Sequence, residues 1–394
     1  MKIFFVGYEQ ANVCYILPVL RALQRHPRLQ PVFAPGTDFK EHRGLHTAAA
    51  PRGIAARHLD AALDTAELAA AERRGVALCR TARGWAADAA DAAAPLTRVL
   101  AGRLQHLLGR RAMPGLFRTY ARIERAAAAL ARREQPRLVV LSEDSDFLRG
   151  RLLARIFAAH GARVVCLTPW YYSTFDSYPL IGERRAHAYL VGTGAHARRL
   201  IAAGVPRRCV EVVGHPVFDA LAADASPAPG HFLYALQGLP WDRTIAVDLL
   251  AAVAAQPGAR LTIKPHPQLP LPAWLARLAR RDHVRIAPAR TAGIALLGDV
   301  RCVVAQTSRL LFEASLLGRD VIVPHYAATP LLVALPRRDA AAVVAASAAQ
   351  LRPRVRESLA GRGRGLSRAA IAPHHPHATQ RAVQALERLS ADAR

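Results

Sequence analysis

Short apolar runs that end in glycine or polar turns recur along the chain, with longer stretches of helical spacing between them. Residues 3–7 (Ile-Phe-Phe-Val-Gly) read as a strand closing in a turn, and the pattern from 15 to 24 reads as the helix that follows it. A second strand fits 30–34. From about 59 to 134 the chain is rich in Ala, Leu and Arg with few β-branched residues, which predicts several helices. Strand-like runs return at 138–141, 164–167, 188–191 and 210–213, separated by helical or turn segments. Continuous apolar strands alternating with helices predict a parallel sheet.

The stretch 224–230 (Asp-Ala-Ser-Pro-Ala-Pro-Gly) has linker composition. Beyond it the strand-helix rhythm restarts at 231–236, 260–263, 284–286, 302–305 and 321–323, and 380–389 reads as a closing helix. A length of 394 residues exceeds one ordinary core and suits two. The predicted fold is therefore α/β, with two Rossmann-like domains facing across a cleft. Residues 1–223 form the first domain, with a helical insertion, and 231–372 form the second. Residues 373–394 carry a helix that returns to the first.

Composition adds an anionic partner to this picture. Hydrophobic residues are 52% of the chain and charged residues 21%, which fits a globular protein, and the formal net charge is +25. Arginine is spread along the whole length and aromatics are only 6%, unlike the clustered charge and interleaved aromatics of a nucleic-acid binder. Phosphorylated small molecules and an anionic membrane surface are the expected partners, and Arg-rich solvated faces from biased composition are the plain alternative. Leu96, Leu100, Leu104, Leu107 and Leu108 fall at helical spacing beside Arg98, Arg103, Arg110 and Arg111. That pattern fits either a packed surface helix or docking on anionic lipid. Five cysteines without CxxC spacing read as reduced core residues. No run reaches ~18 uncharged apolar residues and no apolar signal region opens the chain, so the expectation is a cytoplasmic protein, at most peripheral on the inner face of the membrane.

Lysine occurs only at Lys2, Lys40 and Lys264, against 54 Lys+Arg. An ammonium retained beside an imidazole in Ile263-Lys264-Pro265-His266-Pro267, between prolines that stiffen the backbone, is the first candidate for chemistry. The run closes a predicted strand, and ligands of open α/β sheets bind past the carboxyl ends of strands. Lys264 and His266 can there stabilise the negative charge that grows on a departing phosphate. A structural X-Pro turn with an incidental histidine is the competing account.

Residues 303–314 (Val-Val-Ala-Gln-Thr-Ser-Arg-Leu-Leu-Phe-Glu-Ala) run from a strand through a hydroxyl-rich turn into a helix. Gln306, Thr307 and Ser308 can present hydrogen-bonding groups to phosphate, and Glu313 can accept from ribose hydroxyls; helix capping alone also explains Thr307 and Ser308. Ser142-Glu143-Asp144-Ser145-Asp146 follows the strand at 138–141, so Glu143 or Asp144 can deprotonate an acceptor hydroxyl, against the alternative of acids complementing a helix start. Asp144-x-Asp146 also matches the acidic pair of some metal-dependent sugar transferases. Gln237, Gly238 and Arg243, after the strand at 231–236, are further candidates for nucleotide contact. Gly192-x-Gly194-x-x-Ala197 with Glu211 formally matches a dinucleotide fingerprint, but Glu211 opens the next apolar run and would sit at its wrong end to meet a ribose. There is no GxxxxGK[ST] phosphate loop. Residues 373–377 (Pro-His-His-Pro-His) read as a polar hinge, since prolines interrupt them and no paired cysteine or acidic ligands accompany them.

The Lys-Pro-His-Pro run, the Gln-Thr-Ser…Glu-Ala-x-x-x-Gly run through Gly318, Val321-Ile322-Val323-Pro324, and Gly204-Val205…Gly214-His215-Pro216-Val217-Phe218-Asp219 together resemble GT-B glycosyltransferases of bacterial surface polysaccharide assembly. The likeness is to the group holding CDP-glycerol glycerophosphotransferases, capsule Kdo transferases and bacterial sialyl- and polysialyltransferases. It implies an acidic base at Glu143 or Asp144, donor phosphate contacts from His266 with Pro267, and a paired hydroxyl motif at Thr307 and Ser308. The pair reads Thr-Ser where Ser-Ser is expected, and no glycine follows the acidic motif. The fold is also similar to UDP-N-acetylglucosamine 2-epimerases, whose His-Arg-Glu run gives way here to Pro-His-Pro. The resemblance implies transfer from a nucleotide-activated sugar donor, held by the second domain, to a saccharide or lipid-linked acceptor on the first, with no metal or other cofactor and no nucleic acid. An epimerase acting on a nucleotide sugar and a noncatalytic anion-binding protein at the inner membrane surface are the alternatives.

Overall fold

The computed structural model describes residues 1–7, 10–35, 54–56, 59, 63–90, 113–142, 150–168, 186–221, 230–239, 241–266, 269–289, 291–306, 308–326 and 343–391. One sheet comprises β1 (Lys2–Gly7), β2 (Gln30–Pro35), β3 (Ala55–Ala56), β4 (Leu138–Leu141), β5 (Arg163–Leu167), β6 (Ala188–Val191) and β7 (Val210–Val212), in the order β3-β2-β1-β4-β5-β6-β7. The second comprises β8 (His231–Ala235), β9 (Arg260–Lys264), β10 (Val284–Ile286), β11 (Cys302–Val304), β12 (Asp320–Pro324) and β13 (Val344–Ala345), ordered β10-β9-β8-β11-β12-β13. All pairings are parallel, so each sheet gathers the carboxyl ends of its strands on one edge. The order reverses between β1 and β4 in one sheet and between β8 and β11 in the other, where such sheets open a crevice for ligands.

The period-two alternation of side chains decides what covers each face. In β1, Phe4 and Val6 pack with Ile123, Ala127 and Leu130 of α3 (Met113–Glu134) and with Leu153 and Phe157 of α4 (Gly150–Ala159). Ile3 and Phe5 point the other way, onto Ile16, Val19 and Leu20 of α1 (Gln10–Leu23). The second sheet repeats the scheme. Phe232 and Tyr234 of β8 face Ile245, Leu249 and Val253 of α6 (Asp242–Ala254), and Leu233 faces Leu311 and Phe312 of α8 (Leu310–Leu316). Full burial of each such side chain stabilises the fold by ~1.5–3 kcal/mol relative to exposure.

The expected strands are present, with ends displaced by a residue at several of them. The helical stretch contains two long helices, α2 (Thr65–Ala90) and α3, while the leucine stripe at 96–108 lies outside the described residues. Two features had no sequence signal. Strands β3 and β13 are two residues long and too short for any periodicity, and α9 (Ala348–Leu359) buries only Leu351, Val355 and Ser358 among polar neighbours. Among the described residues no helix is long and apolar enough to cross a membrane.

The chain passes between the two layer systems twice. Val213 belongs to the core of the first sheet and Phe218 to that of the second, so residues 213–218 carry the first crossing. The second follows α10 (Arg368–Ile371), which packs on the second sheet. α11 (Ala378–Ala391) then returns to lay Ala382, Ala385 and Leu386 against α1. Asp219 joins the crossings, its carboxylate accepting the backbone N–H groups of Ala378 at 3.1 Å and Thr379 at 2.6 Å, the unpaired donors of the first turn of α11. Asp219→Ala is expected to cost about 1–2 kcal/mol, measurable as a lowered midpoint in thermal or urea unfolding, with Asp219→Asn recovering part of it.

Candidate functional site

Three neighbouring strands, β9, β8 and β11, end side by side, and their following loops carry most of the sequence-predicted donor contacts. At roughly 4.8 Å between strands, the turn after β9 and the turn after β11 emerge about 10 Å apart. His266 and Ser308 thus lie on the same edge of the same sheet.

Lys264, the last residue of β9, is only 8% exposed. Its Nζ donates a hydrogen bond to the Pro265 carbonyl at 3.2 Å and forms no ion pair among the described residues. Burial holds this ammonium below its ordinary pKa. His266, two residues on and half-buried, is also held below the ordinary imidazole range, first by burial and then by the Lys264 charge, with Asp242 acting in the opposite direction. The strand end therefore presents an ammonium and an imidazole side by side, both partly withdrawn from water.

Asp242 holds the loop between β8 and α6, and the sequence reading missed it. One carboxylate oxygen, Oδ2, accepts from the backbone N–H groups of Gln237 (2.9 Å), Gly238 (2.7 Å) and Leu239 (3.1 Å). The other, Oδ1, accepts from the Tyr234 hydroxyl and from Gln306 Nε2, each at 2.9 Å. Gln237 and Gly238 were expected to contact the nucleotide, yet their amides are committed to Asp242. Gly238 is required on two counts: its φ is +71°, and a Cβ there would stand 2.3 Å from Leu269 Cδ1. Arg243 lies exposed on the first turn of α6, with no ion pair among the described residues. The available signal was an acid opening a helix just after a glycine-bearing strand-end loop.

Gln306 is buried and fixed by Asp242, whereas Ser308 is half-buried with its Oγ accepting from Leu310 N at 3.2 Å. That role leaves the hydroxyl proton free to be donated. Helix α8 has only seven residues, so Ser308 offers a hydroxyl more than a helix dipole. Glu313, expected to meet a ribose, is buried and paired with Arg309 Nε at 2.8 Å. Glu143, Asp144, Pro267 and Thr307 lie outside the described residues. Ser142, the residue before the acidic run, is buried at the end of β4 with no hydrogen-bond partner among the described residues.

The two carboxyl edges approach each other around His215, which follows β7. Its ring packs against Gly192 at the end of β6, where an added Cβ would lie 1.7 Å from Cε1. This close approach accounts for the glycine that opens the apparent dinucleotide fingerprint, and Glu211 of that pattern pairs instead with Arg388 of α11 at 2.7 Å. The Tyr15 hydroxyl and His215 Nδ1 share a hydrogen bond that fixes the orientation of the ring. Tyr15 and Phe218 meet the ring edge-on, with centroids 5.6 and 5.4 Å away. Burial, then the nearby His196 and Arg309, push His215 down to about 3. Arg309, in the turn before α8, acts on both His215 and Tyr15 through its charge.

No family model matches the chain, and no curated protein matches it. Solved structures do. The UDP-N-acetylglucosamine 2-epimerase of Neisseria meningitidis, bound to UDP-GlcNAc, aligns over 98% of this chain and 100% of its own at 12% identity, with a TM-score of 0.63. Anabaena HepE, in complex with UDP and glucose, covers 99% and 100% at 14% identity with a TM-score of 0.52. The lipopolysaccharide outer core galactosyltransferase WaaB covers 100% and 98% at 14% identity, also with a TM-score of 0.52. At such identities the likeness is one of fold. The chain has the GT-B fold, two α/β halves facing across a cleft, that epimerases and glycosyltransferases share.

Gly192→Ala is expected to displace the imidazole and cost about 1–3 kcal/mol of stability, read from urea unfolding. His215 also sets an acid limb. As pH falls below the ordinary histidine value of 6.5, the unfolded chain binds a proton that the folded chain refuses until about 3. Stability should therefore drop by up to about 1.4 kcal/mol per pH unit in that window, a slope that His215→Gln should flatten.

Proposed function

We propose that this chain is a nucleotide-sugar-dependent glycosyltransferase that builds a bacterial surface polysaccharide, such as capsule or lipopolysaccharide, or a glycolipid, from the cytoplasmic side of the membrane. The observation that carries the reading is Lys264, a buried ammonium with no carboxylate partner among the described residues, beside His266 at the strand ends next to the switch point of the second sheet. A cation kept in that state is suited to an anion that arrives with the substrate, and the diphosphate of a sugar nucleotide is of that kind.

In the reaction, Glu143 or Asp144 takes the proton of an acceptor hydroxyl, whose oxygen attacks the anomeric carbon of the donor. The bond from that carbon to the diphosphate breaks, and its electron pair passes to the departing phosphate oxygen. Lys264 and His266 stabilise the charge that collects there, Pro267 shapes their turn, and the hydroxyls of Thr307 and Ser308 donate to the phosphate oxygens. Glu313 accepts from the ribose after exchanging Arg309, while Gln237, Gly238, Arg243 and Gln306 shape the nucleotide side. Fixed cations supply the leaving-group stabilisation that a metal supplies in other enzymes. The basic surface fits peripheral attachment to anionic lipid and a lipid-linked acceptor.

A nucleotide-sugar 2-epimerase is the second reading, favoured by the higher TM-score of the Neisseria enzyme. Incubation with UDP-N-acetylglucosamine in deuterated water separates the two: deuterium entering the sugar would establish epimerisation and overturn transfer.

A thermal-shift panel with CMP, CDP, UDP, GDP and their sugar conjugates should show one nucleotide raising the melting temperature through its preference for the folded state; no response to any of them would overturn the reading. His266→Ala is expected to lower turnover by ~100-fold. Because a bound anion favours the protonated forms of Lys264 and His266, affinity should fall as pH rises, with proton uptake on binding visible by calorimetry in buffers of different ionisation enthalpy.

A further inference from the structure

The carboxylate of Asp242 spans the point where the strand order of the second sheet reverses. Its Oδ2 gathers three consecutive amides of the loop after β8, and its Oδ1 holds Gln306 of the loop after β11 together with Tyr234 of β8 itself. It is 6% exposed, so these charge-assisted hydrogen bonds form away from water, where each is strong. An acid at a helix start needs one or two amides to do its capping work. Asp242 does more: it reaches across to a second loop, and its charge also acts on His266 of a third.

We propose that Asp242 is the positioning residue of the anion site, its carboxylate locking the loops after β8 and β11 into one rigid unit beside the strand end that carries Lys264 and His266. The proposal rests on the anion-site reading for its purpose, though the locking itself stands on the five hydrogen bonds alone. Three donors fix Oδ2 and two fix Oδ1, so the carboxylate cannot turn without breaking both sets. Loosening Gln306 therefore loosens amides that it never touches.

The test uses the full chain. Asp242→Asn cannot serve both sets, because its amide nitrogen donates and does not accept. Exchange of the Gln237, Gly238 and Leu239 amides, followed by NMR, should accelerate by about ten-fold or more. The His266 ring, on which Lys264 and Asp242 act among the described residues, should titrate at lower pH, an effect that a purely capping acid elsewhere on the helix would not produce. Inorganic pyrophosphate, a probe independent of the nucleotide base, should bind about ten-fold more weakly. Tighter pyrophosphate binding would mean that the carboxylate only opposes the anion, and would overturn the proposal. Gln306→Ala and Tyr234→Phe each remove one donor from Oδ1 and keep the acid, which covers the case in which Asp242→Asn fails to fold. Both should speed exchange at Gly238 and Leu239, and an unchanged rate in both would end the idea of a shared lock. In the double variant Asp242→Asn/Gln306→Ala the losses should overlap, whereas losses that multiply would also overturn it. If the wild-type chain binds neither pyrophosphate nor any nucleoside diphosphate, the anion-site reading falls while the exchange and titration results still decide the role of Asp242.

Discussion

A cation withdrawn from water without a counter-charge raises the free energy of the folded state, and among the described residues Lys264 has no carboxylate partner. The neighbouring strands cannot relieve it. Ala235 of β8 pairs with Lys264 in the sheet register, and β10 flanks the other side of β9 through Leu261, Thr262 and Ile263. The nearest carboxylate with influence on the site, Asp242, is saturated by its own five donors. Among the described residues, the acid that acts on this strand end is thus spent on architecture.

The facing edge follows a different logic. His215 is kept neutral by burial and by the cations around it, and Tyr15 orients it through Nδ1. Gly192 exists to let that ring come close. A neutral, oriented aromatic cluster suits a joint between two bodies better than a charged one, since its contacts cost little to slide and do not depend on salt. The polar chemistry gathers at β8, β9 and β11, and packing dominates where the halves touch.

Much of the fold was legible because parallel strands buried on both faces must be continuous apolar runs, as 138–141 and 302–305 are. Lys264 stood out for a compositional reason: in a chain of arginines, a lysine is conspicuous. Asp242 did not, because an acid at the start of a helix is commonplace, and its reach to Gln306 depends on strand order, which periodicity does not reveal. His215 was visible within a motif but without a role, since contact with Gly192 joins residues more than twenty positions apart. The acids Glu143 and Asp144, with Pro267 and Thr307, fall outside the described residues.

The two crossings of the chain lie next to each other. Gly214 touches Ala378, His375 meets the Leu221 carbonyl at 3.1 Å, and Asp219 binds the start of α11. Paired strands of covalent chain fastened together behave like the two leaves of a door hinge. They tie the halves together at a single fastening, held by Asp219, Gly214 and His375. A swing of one half on the other about that fastening would widen or narrow the gap between Lys264 and the facing edge of the first sheet.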